Sequence, residues 1–312
     1  MPLHLPRRSV LAATAALPLL PAMAARPARA DAHAAAAAMP RARSFSIGSF
    51  TVTTLLDGSS PREDPQSIFG MNVSPEEFAE VSEANFIPTD MAQFYFTPVL
   101  VEAGEDKILF DTGLGQGGIQ TALGEVGLTP EDITHVVITH MHGDHIGGLV
   151  QDGAEIFTNA AYVTGQVEYD HWTGAAADTD GGQRVVNEVA PLAERMSFVA
   201  DGDSPRSGIT AVEAFGHTPG HMAYMIEDGG EQILLAADLA NHYVWSLAYP
   251  DWEVLFDADK EAAAVTRRRI LGMLASDRIP MMGYHMPFPA AGFVDTREDG
   301  FRWVPVSYQL NG

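Results

Sequence analysis

Residues 135–149, HVVITHMHGDHIGGL, run from a β-branched stretch directly into three histidines and an aspartate within six positions. His135–Thr139 has the composition of a strand. The loop after it carries His140, His142, Asp144 and His145, and a loop on one rigid support aims such side chains inward better than a helix would at these spacings. His at i and i+2 reach one metal ion, while Asp at i+4 and His at i+5 face a neighbouring one. Gly143, Gly147 and Gly148 keep the surroundings uncrowded. A chain with this segment must therefore fold so that a strand end feeds a polar centre.

Three further segments repeat that arrangement. GHTPGH places His217 and His221 after a strand over Ile209–Phe215, LLAAD ends a strand at Asp238, and GYHMPFP places His285 after a strand near the C-terminus. Further strands are expected at Phe50–Leu56, Phe94–Glu102, Lys107–Phe110, Ala161–Thr164, Met222–Glu227, Gln232–Ala236 and Ile279–Gly283, with a hairpin loop at residues 103–106. Helices are expected at Pro75–Ser82, Gly117–Val126, Gln183–Ala193 and Asp259–Leu274, the last led by Asp257 and Asp259. Strands and helices alternate along the whole chain, which predicts an α/β layered fold. The spacing shows no internal repeat and no second domain boundary.

The N-terminus reads differently. Arg7 and Arg8 precede an apolar run from Val10 to Leu20, and Ala28-Arg29-Ala30 fits a cleavage site. Residues 1–30 are thus expected to be a signal peptide of the twin-arginine type, with periplasmic or secreted localisation. Residues 31–43 are low in complexity and are expected to form a flexible leader, with a single catalytic domain over 44–312. No segment is long and apolar enough for a membrane span.

The first 30 residues hold four arginines and no acid, so the rest carries 41 acidic against 14 basic residues, a formal charge of −27. Such a surface repels phosphate backbones and argues against a nucleic-acid partner. Cysteine is absent, so any metal site must use nitrogen and oxygen ligands, and an exported form has no disulfides to rely on.

HMHGDH, the GHTPGH histidine, the strand-end aspartate, a late histidine and the DTG at 111–113 together resemble the metallo-β-lactamase superfamily, from about residue 45 to the C-terminus. The resemblance implies an αββα sandwich of two mixed β-sheets flanked by helices, with the site at the mouth between the sheets. Carried over residue by residue, it implies that His140, His142 and His217 hold one divalent metal ion. Asp144, His145 and His285 hold a second, and Asp238 bridges both together with a hydroxide. The two ions, zinc by default with manganese, cobalt or iron open, would activate that hydroxide and stabilise the developing oxyanion. Asp238 and Asp144 are the candidate catalytic carboxylates, Asp238 orienting the nucleophile and passing a proton to the leaving group. His221 is read as a supporting residue, and Asp111 as a hydrogen-bond partner of a ligating histidine or simply a turn residue.

The lack of cysteine argues against β-lactamase subclasses with a Cys ligand, and the acidic surface against RNA-processing members. ITHMHGDHIGGL, GHTPGH, HMPFPAAG and FRWVPVSY most resemble the methyl parathion hydrolase-like group, which includes lactonases. The resemblance therefore implies a small lipophilic substrate: a lactone or ester of the acyl-homoserine-lactone type, or an organophosphate triester. An iron persulfide dioxygenase is the alternative from another class, although all seven ligand positions are filled. A thioester hydrolase of the glyoxalase II kind is disfavoured by HMPFP and VPVSY. Two departures stand out. Many such lactonases carry Tyr three residues after the bridging Asp, where this chain has Asn241. GLGQGGIQ at 113–120 lacks an aromatic that the organophosphate enzymes place nearby. Trp172, Asn241 and Phe288 are the candidate substrate-binding residues, with Phe69, Met71, Phe94 and Trp245 as weaker ones. The apolar IFGMNV at 68–73 could serve a homodimer contact or cover the pocket.

Overall fold

The computed structural model describes residues 40–310, and the expected signal peptide and most of the leader lie outside these described residues. In chain order the strands are β1 (Ala42–Ile47), β2 (Phe50–Leu55), β3 (Gly58–Glu63), β4 (Met91–Phe96), β5 (Val99–Ala103), β6 (Asp106–Phe110), β7 (His135–Ile138), β8 (Val150–Gln151), β9 (Ala154–Glu155), β10 (Ala161–Gly165), β11 (Met196–Val199), β12 (Ile209–Glu213), β13 (Met222–Asp228), β14 (Glu231–Ala237), β15 (Met281–Gly283), β16 (Ala291–Arg297) and β17 (Gly300–Pro305). The helices are α1 (Pro75–Ala84), α2 (Gly118–Glu125), α3 (Gly143–Ile146), α4 (Gln166–Asp170), α5 (Asp180–Glu188) and α6 (Lys260–Asp277).

Two mixed sheets carry the domain. One runs in the order β1-β2-β5-β6-β7-β10-β11, the other β12-β13-β14-β15-β16-β17. In the first, β6, β7, β10 and β11 pair in parallel while the remaining pairings are antiparallel; in the second only β14–β15 is parallel.

The alternation of side chains along a strand explains the layering. Ile108 and Phe110 of β6 and Val137 of β7 point into the space between the sheets, where they meet Tyr224, Ile226, Ile233 and Leu235. Their neighbours Leu109, Val136 and Ile138 point the other way and pack on Ile119 and Leu123 of α2 and Val185 of α5. On the second sheet, Ala223, Leu234 and Met281 face outward onto Ile270, Leu271 and Leu274 of α6. Both faces of each sheet are thus covered, the four layers of an αββα sandwich. The central strands read as unbroken apolar runs because each face has its own core.

Three sequence expectations change. Residues 40–43, assigned to the leader, belong to the folded domain: β1 begins at Ala42, and the Arg41 guanidinium donates to the carbonyls of Leu56 and Asp57 at 3.1 and 2.9 Å. The expected strand over Phe94–Glu102 is two strands. Pro98 has no N–H to give a ladder, and at this break β4 leaves to pair with β3 while β5 joins the large sheet. The helix expected at Gln183–Ala193 begins earlier, at Asp180 behind the Thr179 cap, and ends at Glu188, just before Pro191. The clearest omission is β1, β3, β11, β16 and β17; β1 and β3 are polar and mostly exposed, and the other three are short or only partly buried.

Leu109 is fully buried between the first sheet and its helices. Leu109→Ala should lower unfolding stability by about 2–5 kcal/mol through lost transfer energy and a cavity, read as a lower urea midpoint at unchanged m-value.

Candidate metal centre

Four strand ends deliver the chemistry. β7 leads into His140, His142, Asp144 and His145, β12 into His217, β14 into Asp238 and β15 into His285. His142 Nδ1 lies 3.1 Å from His140 Nε2 and 3.0 Å from His217 Nε2. Asp238 Oδ2 lies 3.2 Å from His217 Nε2 and 3.2 Å from His285 Nε2, and Asp238 Oδ1 lies 3.2 Å from His145 Nε2. Asp144 Oδ2 approaches His285 Nε2 at 3.4 Å and His145 Nε2 at 3.8 Å. These contacts make two groups, His140–His142–His217–Asp238 and Asp144–His145–His285, each with donor atoms within 4.8 Å of one another. Asp238 touches both. The structure therefore brings together all seven side chains named from the sequence as metal ligands.

Whether cations fit here is decided by the groups left over. His145 Nε2 and Asp238 Oδ1 are buried and face each other at 3.2 Å without the geometry of a hydrogen bond, a costly state for polar atoms unless something binds them better. Imidazole nitrogens and carboxylate oxygens converging on common centres are the donor set for zinc and similar divalent ions. The residues fit two such ions.

The second nitrogen of most of these imidazoles is committed elsewhere, which sets the ring orientation and aims the other nitrogen inward. His145 Nδ1 meets Asp111 Oδ2 at 2.8 Å, and Asp111 also accepts the Thr139 amide and hydroxyl at 2.8 Å each. His217 Nδ1 meets Asp257 Oδ1 at 3.1 Å, and Asp257 Oδ2 accepts from the buried Arg267 guanidinium at 2.7 Å. Arg267 also donates to the carbonyls of Pro250 and Trp252. His285 Nδ1 meets the Tyr95 carbonyl at 2.8 Å, and His140 Nδ1 meets the Thr139 hydroxyl at 3.2 Å. Tyr284 stacks over His145 with ring centres 3.9 Å apart and donates its hydroxyl to the Asp144 carbonyl at 2.6 Å. His221 does not point at the centre: its Nδ1 meets the Ala214 carbonyl and its Nε2 faces the Asp238 amide, each at 3.1 Å. It is a brace for the strand end that carries Asp238.

Packing so many ionisable groups together splits their proton affinities. Burial, and then the neighbouring His217, push His142 down to about 3. Burial opposes a charge on His217, but hydrogen bonds and charge from Asp238 and Asp257 outweigh it and raise its pKa to about 9. Burial likewise opposes a charge on His145, yet Asp238, Asp111 and Asp144 hold it well above the usual histidine value. Burial would raise Asp238, but His285 and His145 keep it well below the usual carboxylate range. Without metal the carboxylates are thus balanced by protonated histidines, and cations would take over that role.

A cavity of about 370 Å³ opens above the centre. His142, Asp144, His217, Asp238 and His285 form its floor, Phe94, Phe96, Leu114 and Phe256 its apolar walls, and Arg62 stands in the wall with them. Of the candidate pocket residues, Phe94 lies in this wall. Trp172 does not: it faces His142 edge-on at 5.8 Å between ring centres and donates its indole N–H to Glu168. Asn241 is only 2% exposed and donates its amide to Asp238 Oδ2 at 2.9 Å, so it supports a ligand where a substrate contact was expected. Phe288 is half-buried away from the cavity lining, Phe69 and Trp245 are packed in the apolar cluster behind Phe94 and Phe96, and Met71 is exposed. Sequence reasoning missed Phe96, Phe256 and Arg62 in the wall, and Glu168, Asp257, Arg267, Tyr95 and Tyr284 behind the ligands. Of these, only Asp257 stood out in the sequence, and there as a helix leader.

Comparison with known proteins agrees with this geometry. The sequence pattern of the Metallo-beta-lactamase superfamily matches residues 97–281, more than half of the chain. Among curated proteins, the Metallo-beta-lactamase domain-containing protein 1 of Mus musculus is 36% identical over 111 residues, 33% of this chain and 42% of that protein. An N-acyl homoserine lactonase of Bacillus sp is 26% identical over 167 residues, 45% of this chain and 61% of that protein. The chain spans only about 40% of the length of the first curated relatives it matches. Among solved structures, AidC, a dizinc quorum-quenching lactonase in complex with a product, N-hexanoyl-L-homoserine, superposes with a TM-score of 0.80 at 26% identity, covering 86% of this chain and 98% of that one.

Two expectations follow. At pH 7, His217 and His145 of the metal-free protein carry protons that a cation must displace, because their pKa values are raised. Adding zinc to metal-free protein in weak buffer should therefore release about two protons per chain, read with a pH indicator, and affinity should fall as pH is lowered. Arg267→Met should cost about 3–5 kcal/mol, because it removes the permanent cation from the buried Asp257 Oδ2 and leaves only His217 beside that carboxylate, measured by chemical denaturation. The two strand-end groups of ligands, the matched sequence pattern and the shared sandwich lead to one assignment: this chain belongs to the metallo-beta-lactamase superfamily.

Proposed function

We propose that the protein is a dinuclear metal-dependent hydrolase, with zinc as the default metal, that opens lipophilic lactones or esters of the acyl-homoserine-lactone type. The observation that carries this reading is an apolar, aromatic-walled cavity placed directly over seven converged metal ligands. Two bound cations supply Lewis acidity and lower the pKa of water at the site. The chain's own residues do the rest. His140, His142 and His217 would hold one ion, Asp144, His145 and His285 the other, and Asp238, which contacts side chains of both groups, would serve each. Asp238 is in position to accept a proton and pass it on, with Asn241 steadying its Oδ2. Phe94, Phe96, Leu114 and Phe256 exclude water from one side of a bound acyl group, and Arg62 offers a cation to a carbonyl or carboxylate oxygen at the wall. The similarity to AidC supports the lactone class.

The resemblance of HMPFPAAG and FRWVPVSY to the methyl parathion hydrolase-like group favours phosphotriester cleavage as a second reading, because an apolar wall over a floor of metal ligands would suit such a triester as well. Export by the twin-arginine route is part of the same proposal: it delivers a folded, metal-loaded, cysteine-free chain to the periplasm or beyond. A small lipophilic substrate is the partner it implies.

The deciding measurement is kcat/KM of the zinc-loaded protein on a long-chain acyl-homoserine lactone beside methyl parathion. A lactone preference of several decades is expected. A phosphotriester preference transfers the main activity to the second reading, and turnover of neither sinks the substrate class.

A further inference from the structure

Glu168, in α4, is a fully buried carboxylate that touches no metal-facing atom, and the chemistry described above makes no use of it. Its surroundings are specific. Oε1 accepts the Met141 amide at 2.9 Å and the Trp172 indole N–H at 2.6 Å. Oε2 accepts the Thr218 hydroxyl at 2.7 Å and the Gly220 amide at 3.0 Å. Met141 is the residue between His140 and His142. Thr218 and Gly220 follow His217 in the GHTPGH loop. Trp172 stands edge-on to the His142 ring. One carboxylate therefore ties together the two loops that carry the three histidines of the first group. These loops are about 75 residues apart in the chain, and His142 and His217 meet across them at 3.0 Å.

The packing is built for this approach. A Cβ at Gly220 would lie 2.1 Å from the Glu168 amide nitrogen, so only glycine lets the loop come so near α4. All four partners are neutral donors, matching the acceptor-only capacity of a carboxylate. A glutamine could not replace it: whichever way its amide is turned, its NH₂ opposes a backbone N–H, of either Met141 or Gly220.

We infer that Glu168 is a positioning residue for the metal centre, clamping the His140–His142 loop to the His217 loop and so setting the spacing of the three-histidine group. The inference rests on the reading of these histidines as metal ligands and is independent of the substrate. Loss of the clamp should loosen the ion held by His140, His142 and His217 and spare the one held by Asp144, His145 and His285. That asymmetry separates it from a general loss of stability.

The experiment is titration of the metal-free protein with cobalt(II), followed by visible absorption and by competition with a chelating dye, for wild type, Glu168→Gln and Trp172→Phe. Wild type should bind two ions. Glu168→Gln should bind one ion normally and the other about 10–100-fold more weakly, as losses of supporting carboxylates do, with an altered cobalt spectrum. Trp172→Phe, which keeps the ring and removes one donor, should show a smaller shift in the same ion. Should Glu168→Gln fail to fold, Trp172→Phe and Thr218→Val each remove one donor and carry the test, and wild-type affinity in both overturns the inference. Wild-type affinity and spectrum for both ions in Glu168→Gln overturns it as well, whatever happens to the melting temperature. Failure of wild type itself to bind cobalt overturns instead the metal reading on which the inference stands.

Discussion

Imidazoles and carboxylates are crowded at the strand ends with donor atoms 3.0–3.2 Å apart, and two of those atoms, His145 Nε2 and Asp238 Oδ1, meet each other without hydrogen-bond geometry. In a low-dielectric interior, such a cluster is costly unless positive charge is shared among its members. Protons on His217 and His145 supply that charge when no metal is bound, and two cations would supply it better. The rest of the domain is arranged around this requirement. Both sheets end at the same edge so that β7, β12, β14 and β15 deliver ligands to one place. The apolar layers on either side of the sheets keep those strand ends rigid.

Rigidity at the centre is achieved one side chain at a time. Asp111 holds His145, Asp257 with Arg267 holds His217, and the Tyr95 carbonyl holds His285. These supports come from different parts of the fold: the end of β6, the segment before α6, and β4. The Asp257–Arg267 pair illustrates the coupling. Arg267 fixes the carbonyls of Pro250 and Trp252 as well as Asp257, and Phe256, next to Asp257, stands in the cavity wall. The segment that orients a metal ligand thus also shapes the space for the substrate.

The aromatic cluster of Phe69, Phe78, Phe94, Phe96, Trp245 and Trp252 plays the matching part on the substrate side. Two of its members, Phe94 and Phe96, contact the His285 ring edge-on at 5.3 and 5.4 Å between centres. Because β4 leaves the large sheet at Pro98 and pairs with β3, its phenylalanines reach the metal ligands instead of the inter-sheet core. A dry wall beside polarising ions strengthens every electrostatic interaction at the reacting group.

The sequence by itself determined an α/β layered fold with histidines and aspartates at its strand ends, and its resemblance to the metallo-β-lactamase superfamily implied the sandwich and the seven ligands. Each ligand follows an apolar strand within a few residues, and histidine and aspartate at such spacing have little other use, so the signal is local. The same local reading misjudged Asn241, Trp172 and Phe288, merged β4 with β5, and gave no hint of Glu168 or Arg267. Asn241 stands where many related lactonases carry Tyr, which marked it as a substrate contact, and only the turn after β14 shows its amide spent on Asp238. Glu168 is one acidic residue among 41 in the sequence. Its role exists only because α4, the His140 loop and the GHTPGH loop pack against one another. Ligands declare themselves by chemistry at a strand end. Their supports and the cavity wall are chosen by which distant segments the two packed sheets bring within hydrogen-bond reach, and only the tertiary structure decided that.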